Sequence, residues 1–105
     1  MSKHRISLVN GGFFDFVDME QSQYAIEEIA HNLSMICRFT GAVKKHYSVA
    51  QHSVLVSLHV PQEHALAALM HDNSEAFMSD LNSPMKALMP EYKKFEIKVE
   101  KFMFA

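Results

Sequence analysis

The spacing of apolar residues after residue 22 is the feature that most restricts the fold of this chain. Over residues 23–39 the apolar side chains recur every three to four positions, which is the period of an amphipathic helix and not of a strand. They are Ile26, Ile29, Leu33, Ile36 and Cys37. Ser22 is placed to cap this helix and Gly41 to end it. The pattern predicts the first helix of a mostly α-helical protein.

Four further segments also have helical character. A second helix is predicted to begin at Ser48, where the sequence SVAQ forms a capping box, and to end before Pro61. A third is predicted over roughly residues 63–77. Ser83 and Pro84 supply a cap and a first-turn proline for a short fourth helix, and a fifth follows Pro90. The connection between the second and third helices is short, so these two helices are expected to pack antiparallel.

The first 16 residues have a different pattern. The apolar run at residues 6–9, the turn sequence Asn10-Gly11-Gly12 and the aromatic run at residues 13–16 together predict a β-hairpin that lies against the helices. The whole chain has 105 residues, with no internal repeat and no linker-like segment. We therefore expect a single domain over residues 1–105.

Composition excludes several classes of function. The formal net charge is -2 and the pI is about 6.4, which argues against a broad electrostatic grip on nucleic acid. No apolar run approaches the roughly 20 residues of a membrane span, and the first residues lack the apolar core of a signal peptide. Cys37 is the only cysteine, so no internal disulfide can form. These features predict a cytoplasmic protein that has no membrane partner.

Four residues form a candidate metal site. His71 and Glu75 are one helical turn apart in the predicted third helix, with Asp72 beside His71. Antiparallel packing of the second helix can bring His52 over the same pair. Imidazole nitrogen and carboxylate oxygen together suit Mn, Fe, Co, Zn or Mg. Spacing alone leaves the alternative open, because each of these residues taken singly is more often part of an ordinary helix surface.

Longer segments carry a resemblance to a known family. They are YSVAQHS (residues 47–53), HDNSEAF (71–77) and SDLNSPMK (79–86), with IAHNLS (29–34), CRFTG (37–41) and the hairpin over residues 6–16. The sequence resembles the HD-domain metal phosphohydrolases, and among them the 5'-deoxynucleotidase-like branch with its phage members. The resemblance covers nearly the whole chain. It implies an all-α fold, namely an HD-domain helical bundle with a small N-terminal β-hairpin.

The resemblance also implies roles for individual residues. Three of the family's four metal ligands match His52, His71 and Asp72. Glu75 matches the carboxylate that orients or deprotonates the attacking water, and Asp80 matches a second acidic residue in the catalytic cleft. Arg38 matches a basic residue near the substrate phosphate. The chemistry agrees, since a divalent ion activates water, a nearby carboxylate accepts the proton, and a guanidinium matches the geometry of a phosphate.

The sequence also departs from the family. The fourth ligand is an aspartate on a later helix, but no aspartate follows Asp80 before the last residue, Ala105. The resemblance therefore predicts a C-terminally shortened HD domain with weakened metal binding. A shortened domain would expose core surface near its C-terminus. We expect a homodimer contact or another protein partner to cover that surface.

Two functions follow. The first is a divalent-metal-dependent nucleotide phosphohydrolase that releases phosphate from deoxynucleotides. The second is a catalytically degenerate HD domain that has lost its metal. It would act as a binding or inhibitor module, for example a phage protein that docks on a host protein or sequesters a nucleotide. The charged cluster favours the first function, and the absent fourth ligand favours the second.

The other polar residues have simpler interpretations. Five histidines are predicted to lie on the surface or at helix caps: His4, His31, His46, His59 and His64. Of these, His46 is the most plausible exception, because it precedes the helix that carries His52. Five lysines are predicted to form a solvated helix face, with a secondary phosphate or nucleic-acid contact as the alternative: Lys86, Lys93, Lys94, Lys98 and Lys101. Cys37 is predicted to be a small core residue.

Overall fold

The protein consists of a short β-hairpin and six α-helices in a computed structural model that describes residues 3–104. The two antiparallel strands are β1 (Arg5–Ser7) and β2 (Phe13–Asp15). The helices are α1 (Ile26–Met35), α2 (Val49–Leu58), α3 (Ala65–Met70), α4 (Glu75–Met78), α5 (Ser83–Ala87) and α6 (Pro90–Met103). Short 3-10 helices lie at Met19–Gln21, Phe39–Gly41 and Gln62–His64. The predicted mostly helical architecture with an N-terminal hairpin is confirmed.

The hairpin turn forms at the predicted glycines. The Leu8 N–H donates to the Gly12 carbonyl at 2.9 Å, and the Gly11 N–H donates to the Leu8 carbonyl at 3.1 Å. Gly11 has a φ of +88°, a conformation that glycine adopts without steric cost. A Cβ at Gly12 would lie 2.1 Å from the Gln23 carbonyl oxygen, so this close approach of two backbone segments requires glycine.

The hairpin forms part of the hydrophobic core. Phe14 is fully buried, and its ring stacks on Phe77 of α4 with the centroids 4.3 Å apart and the planes at 14°. Phe102 of α6 meets Phe14 edge-on at 6.2 Å, and Phe16 of the hairpin does so at 5.1 Å. Val99, also from α6, is fully buried in the same cluster. The hairpin thus lies against the helices, as predicted.

The first helix is shorter than predicted. It begins at Ile26 and ends at Met35, whereas the pattern placed it over residues 23–39. The reason is a contact distant in sequence. Cys37 forms a β-bridge with Ser48, and the Val49 N–H donates to the Ile36 carbonyl at 2.9 Å, so the chain after Met35 is extended. The prediction of helix beyond residue 35 was wrong.

The predicted caps are confirmed at one helix and corrected at another. The Ser48 hydroxyl accepts a hydrogen bond from the Gln51 N–H at 3.0 Å, so α2 begins as predicted. The cap of α5 is Asn82 and not Ser83, because the Asn82 Oδ1 atom accepts from the Met85 N–H at 2.9 Å. Pro84 still lies in the first turn of α5. An asparagine side chain caps as effectively as a serine, and here it is one residue earlier.

The third predicted helix is interrupted. The pattern placed one helix over residues 63–77, but α3 ends at Met70 and α4 begins at Glu75, with a turn between them. The Asn73 N–H donates to the Met70 carbonyl at 3.1 Å and the Glu75 N–H donates to the Asp72 carbonyl at 2.9 Å, three residues back instead of four. Short polar side chains favour such tightened turns. The prediction of a continuous helix was wrong at this point.

Helices α2 and α3 pack against each other and leave apolar side chains exposed. The contact between these two helices is the most extensive in the fold. Their outer surface exposes Val54, Leu55, Leu58, Leu66 and Leu69. In the part of the chain that the structure describes, none of the helices has the length and apolarity needed to cross a membrane.

The aromatic core generates a test of the fold. Replacing Phe14 with alanine removes the ring that stacks on Phe77, and we expect the free energy of unfolding to fall by about 3–5 kcal/mol. Val17 follows the same strand but is 67% exposed, so Val17→Ala should change that energy by less than about 0.5 kcal/mol. Urea unfolding followed by circular dichroism measures both. Equal effects of the two substitutions would contradict the assigned core.

Candidate metal centre

Backbone contacts place Arg38 beside the start of α2. The Arg38 N–H donates to the Tyr47 carbonyl at 2.8 Å, next to the bridge between Cys37 and Ser48. The Arg38 guanidinium lies over the Tyr47 ring at 5.5 Å and over the Phe39 ring at 4.5 Å from the centroid. Stacking on two aromatic rings restricts the guanidinium to one region of the surface.

The turn between α3 and α4 contains His71 and Asp72, two of the predicted ligands, and both lie close to the third, His52. The His71 Nε2 atom is 3.0 Å from the Asp72 Oδ2 atom, and the His52 Nε2 atom of α2 is 4.0 Å from the same oxygen. The two imidazole centroids are 5.6 Å apart. One ligand atom from each of the three residues lies within 4.8 Å of the others. The packing of α2 on α3 thus brings His52 to the pair, as predicted from the short connection.

A backbone hydrogen bond fixes the tautomer of His71. Its Nδ1 atom lies within hydrogen-bond distance of the Ala68 carbonyl oxygen, which can only accept. Nδ1 therefore carries the proton, and Nε2 of a neutral ring presents a lone pair. That lone pair faces the Asp72 carboxylate at 3.0 Å. Two electron-rich atoms at this distance repel unless a proton or a cation lies between them.

The environment of His52 keeps its ring neutral. Burial lowers the pKa of His52, and the nearby positive charge of Arg38 lowers it further. The carboxylates of Asp72 and Asp80 act in the opposite direction but do not reverse the shift. A neutral imidazole is the form that binds a metal ion. The shift therefore favours a ligand role for this side chain.

Glu75 lies in the most acidic part of the site. Burial raises the pKa of Glu75 to about 10, together with its hydrogen bonds to Asp80 and Asp72 and the negative charges of those two carboxylates. Glu75 is only 6% exposed, which is why burial is the largest cause. In the absence of a cation this carboxyl group therefore holds a proton at neutral pH. A positive charge nearby would lower its pKa again.

All six predicted site residues line one cavity of about 480 Å³. They are Arg38, His52, His71, Asp72, Glu75 and Asp80. The cavity is open to solvent on one side, and its remaining wall comes from Phe39, Leu81, Asn82, Ser83, Pro84 and Lys86. Its volume lies in the range of small-molecule sites.

Sequence analysis missed Lys86 as a cavity residue. It assigned this side chain to a solvated face, but its Nζ atom lies 3.0 Å and 3.2 Å from the two carboxylate oxygens of Glu96. Burial alone would lower the pKa of Lys86, but hydrogen bonding to Glu96 and the charge of that residue raise it. Lys86 follows the cap residue Asn82 by four positions, and both side chains reach the cavity. The four-residue spacing places both side chains on one helix face and could have indicated that Lys86 lies beside Asn82.

Phe39 is the second residue that sequence analysis missed. It has a positive φ of 58°, as does its neighbour Thr40 at 57°, and the 3-10 helix that contains both ends at Gly41. Two successive non-glycine residues rarely adopt this left-handed conformation. The Asn82 amide donates to the Thr40 hydroxyl at 3.1 Å, which connects this strained segment to another residue that lines the cavity.

The remaining predictions concern residues outside the cavity. The five other histidines are exposed, as predicted. His46 is not an exception, because its Nε2 atom contacts the Ser34 carbonyl at 3.2 Å and does not line the cavity. Cys37 is only partly buried, so its assignment to the core was too strong.

The donor set fits a divalent cation. It combines two imidazole nitrogens and one carboxylate oxygen, a mixture that suits Mn, Fe, Co, Zn or Mg. Three protein ligands with an open side are also typical of catalytic sites, which reserve a coordination position for water or substrate. A positive charge at this position would be attracted to the Asp72 carboxylate and would relieve the crowding of carboxyl groups around Glu75.

Comparison with known proteins finds relatives of uncharacterized function. The chain is 45% identical over 95 residues to the uncharacterized protein YfdR of Escherichia coli (strain K12), which covers 90% of this chain and 53% of that protein. It is 34% identical over 89 residues to an uncharacterized protein of Rhodobacter capsulatus, which covers 76% of this chain and 45% of that protein. The chain thus spans about half the length of the curated relatives it matches. No protein-family model matches the sequence.

The raised pKa of Glu75 predicts a pH dependence of stability. The unfolded chain loses this proton near pH 4.5, whereas the metal-free folded chain keeps it up to about pH 10. The free energy of unfolding contributed by Glu75 therefore decreases as the pH rises through this interval. We expect Glu75→Gln to become progressively more stable relative to the unsubstituted chain between pH 5 and pH 9. Denaturant unfolding in chelator-treated buffer measures this difference, and the exposed Glu91→Gln serves as control. A pH-independent difference would contradict the assignment.

Proposed function

We propose that the chain is an HD-type, divalent-metal-dependent phosphohydrolase that releases phosphate from deoxynucleoside monophosphates. The observation that carries the proposal is the convergence of a metal-ligand triad, two further carboxyl groups and an arginine on one open cavity. Phosphate-ester hydrolysis needs these functions: activation of water, acceptance of a proton and binding of a phosphate. The family resemblance of the surrounding segments supports the same chemistry.

His52, His71 and Asp72 would hold the ion. When bound, a divalent ion acts as a Lewis acid that lowers the pKa of water and polarises a phosphoryl oxygen. The hydrogen bond from His71 Nδ1 to the Ala68 carbonyl holds that ring in the tautomer with Nε2 free. The lowered pKa of His52 keeps its nitrogen unprotonated.

The other residues would act on substrate and proton. Arg38 offers a planar guanidinium, held over Phe39 and Tyr47, for two parallel hydrogen bonds to a phosphate. Glu75 is positioned to accept a proton from the attacking water. Its hydrogen bond with Asp80 fixes the orientation of the accepting carboxyl group. A carboxyl group with a raised pKa is a stronger base when ionised than an ordinary glutamate.

Removal of the shared carboxylate tests the proposal. Asp72 is close to both histidines, so Asp72→Ala should abolish stoichiometric metal binding and lower phosphate release at least about a hundredfold. Elemental analysis after Mn²⁺ loading and a phosphate-release assay on deoxynucleoside monophosphates give the two readouts. Asp18→Ala, which removes an exposed carboxylate elsewhere, should change neither. Unchanged phosphate release by Asp72→Ala would refute the proposal.

A second candidate function is a catalytically degenerate binding module. The apolar surface of α2 and α3, defined by Val54, Leu55, Leu58, Leu66 and Leu69, favours it. Exposed apolar patches on adjacent helices are typical of association surfaces. Ile97 and Phe104 near the C-terminus are also exposed, in the region where sequence analysis expected a partner. In this candidate function a second copy of the chain covers the apolar surface, and the metal site is dispensable.

Solution mass tests the second candidate function. If the chain is a binding module, it should form a dimer that persists in His71→Ala and dissociates in Leu58→Glu. Light scattering across a range of concentrations measures this, with Val17→Glu as the control because Val17 is exposed elsewhere. A monomer at every concentration would exclude a second copy as the occupant of this surface.

A further inference from the structure

Lys86 differs from the other lysines of the C-terminal region. Its side chain is 26% exposed and is held by Glu96, whose side chain is 12% exposed. By contrast, Lys94 pairs with Glu91 at 3.6 Å, and both side chains are more than three-quarters exposed. Lys86 also lines the cavity that contains the metal-ligand triad, whereas Lys94 does not. Lys86 is therefore a fixed cation in the wall of the candidate site.

Of the two partners of this ion pair, Lys86 is the one that lines the cavity. The carboxylate of Glu96, which is not among the lining residues, accepts from the Lys86 ammonium group with both of its oxygens. Two of the three ammonium protons can serve the two oxygens of Glu96, and the third remains for a ligand. Because folding already restricts this flexible side chain, a ligand would not have to order it.

The charge distribution of the cavity explains why a second cation is needed. Asp72 and Asp80 together repel an anion that approaches the metal position. Among the described residues that line the cavity, Arg38 and Lys86 are the ones with a permanent positive charge. They come from different parts of the chain, the segment before α2 and helix α5. If a dianionic phosphate contacts both Arg38 and Lys86, its two negative charges are neutralised from two sides.

We propose that Lys86 is a phosphate-binding residue of this site and that Glu96 is its positioning residue. The inference rests on the proposed function, because it assigns the recognition of the phosphate group in the same cavity. It adds a substrate preference: a terminal phosphate with two negative charges is favoured over a singly charged phosphodiester. Glu96 acts through Lys86 and does not contact the substrate.

Phosphate affinity tests the role of Lys86. Inorganic phosphate is titrated calorimetrically into the full chain with and without Mn²⁺, and Mn²⁺ affinity is measured separately. Lys86→Met should weaken phosphate binding roughly 10- to 100-fold, as expected for the loss of one charged hydrogen bond. Lys86→Arg should stay within about threefold of the unsubstituted chain, because it keeps the charge. Lys94→Met is the matched control and should have no effect. None of these variants should change Mn²⁺ affinity.

A double substitution tests Glu96 and guards against misfolding. Glu96→Gln should weaken phosphate binding several-fold and raise KM more than it lowers kcat. Lys86→Met/Glu96→Gln should bind phosphate no more weakly than Lys86→Met, because Glu96 acts only through the lysine. The double variant also leaves no unpaired buried carboxylate, so it remains interpretable if Lys86→Met alone is unstable. Additive losses in the double variant would overturn the positioning role.

The outcomes separate the two proposals. Unchanged phosphate affinity in Lys86→Met, with a chain that binds Mn²⁺ and hydrolyses nucleotides, overturns the role of Lys86 alone. Lysine-dependent phosphate binding in a chain that neither binds Mn²⁺ nor releases phosphate supports Lys86 and refutes the phosphohydrolase. Absence of phosphate binding under both conditions overturns the inference.

Discussion

The stacking of Phe77 on Phe14 is the contact on which the candidate site depends. It joins the hairpin to α4, and α4 is the four-residue helix that begins with Glu75. A second contact fixes the same helix, because the Asn32 amide donates to the Ala76 carbonyl at 2.7 Å. Helix α4 is too short to be stable on its own, so these contacts hold it in place. The orientation of Glu75 is therefore set by the aromatic core, and closely packed side chains transmit any displacement of that core to the site.

The electrostatics of the cavity oppose a proton on His52 and favour a proton or a cation among its carboxyl groups. The pKa of His52 is lowered and the pKa of Glu75 is raised, in both cases chiefly by burial. Burial penalises the charged form of either group, so both are neutral in the metal-free chain at neutral pH. A neutral imidazole is ready to bind a metal ion, and a cation near Asp72 would permit Glu75 to ionise. One bound charge would thus convert a resting arrangement into a reactive one.

The sequence predicted most of the site because its residues are close in the chain or joined by a short connection. His71 and Asp72 are adjacent, and His52 lies one helix earlier. The backbone of residues 71–74 also explains why the predicted site residues still line one cavity although the predicted helix is interrupted. His71 has φ/ψ of -63°/-26° and Ser74 has -59°/-28°, so the chain keeps a nearly helical path through the turn. The early end of α1 could not be predicted in the same way, because the bridge between Cys37 and Ser48 joins segments that share no local pattern.

Two lysine–glutamate pairs show which contacts can be predicted from spacing within a helix and which cannot. Lys94 and Glu91 are three residues apart on α6, a pair that helical spacing predicts, but both side chains are exposed and the pair contributes little to stability. Lys86 and Glu96 are on different helices, and both are largely removed from water. Such a pair costs desolvation energy that only good hydrogen bonds offset, and here both carboxylate oxygens accept. The packing of α5 on α6 creates this pair and places Lys86 in the wall of a cavity that also contains three acidic side chains and Arg38. That combination of a positive wall and a group of carboxyl side chains is the basis of the proposed preference for a dianionic phosphate.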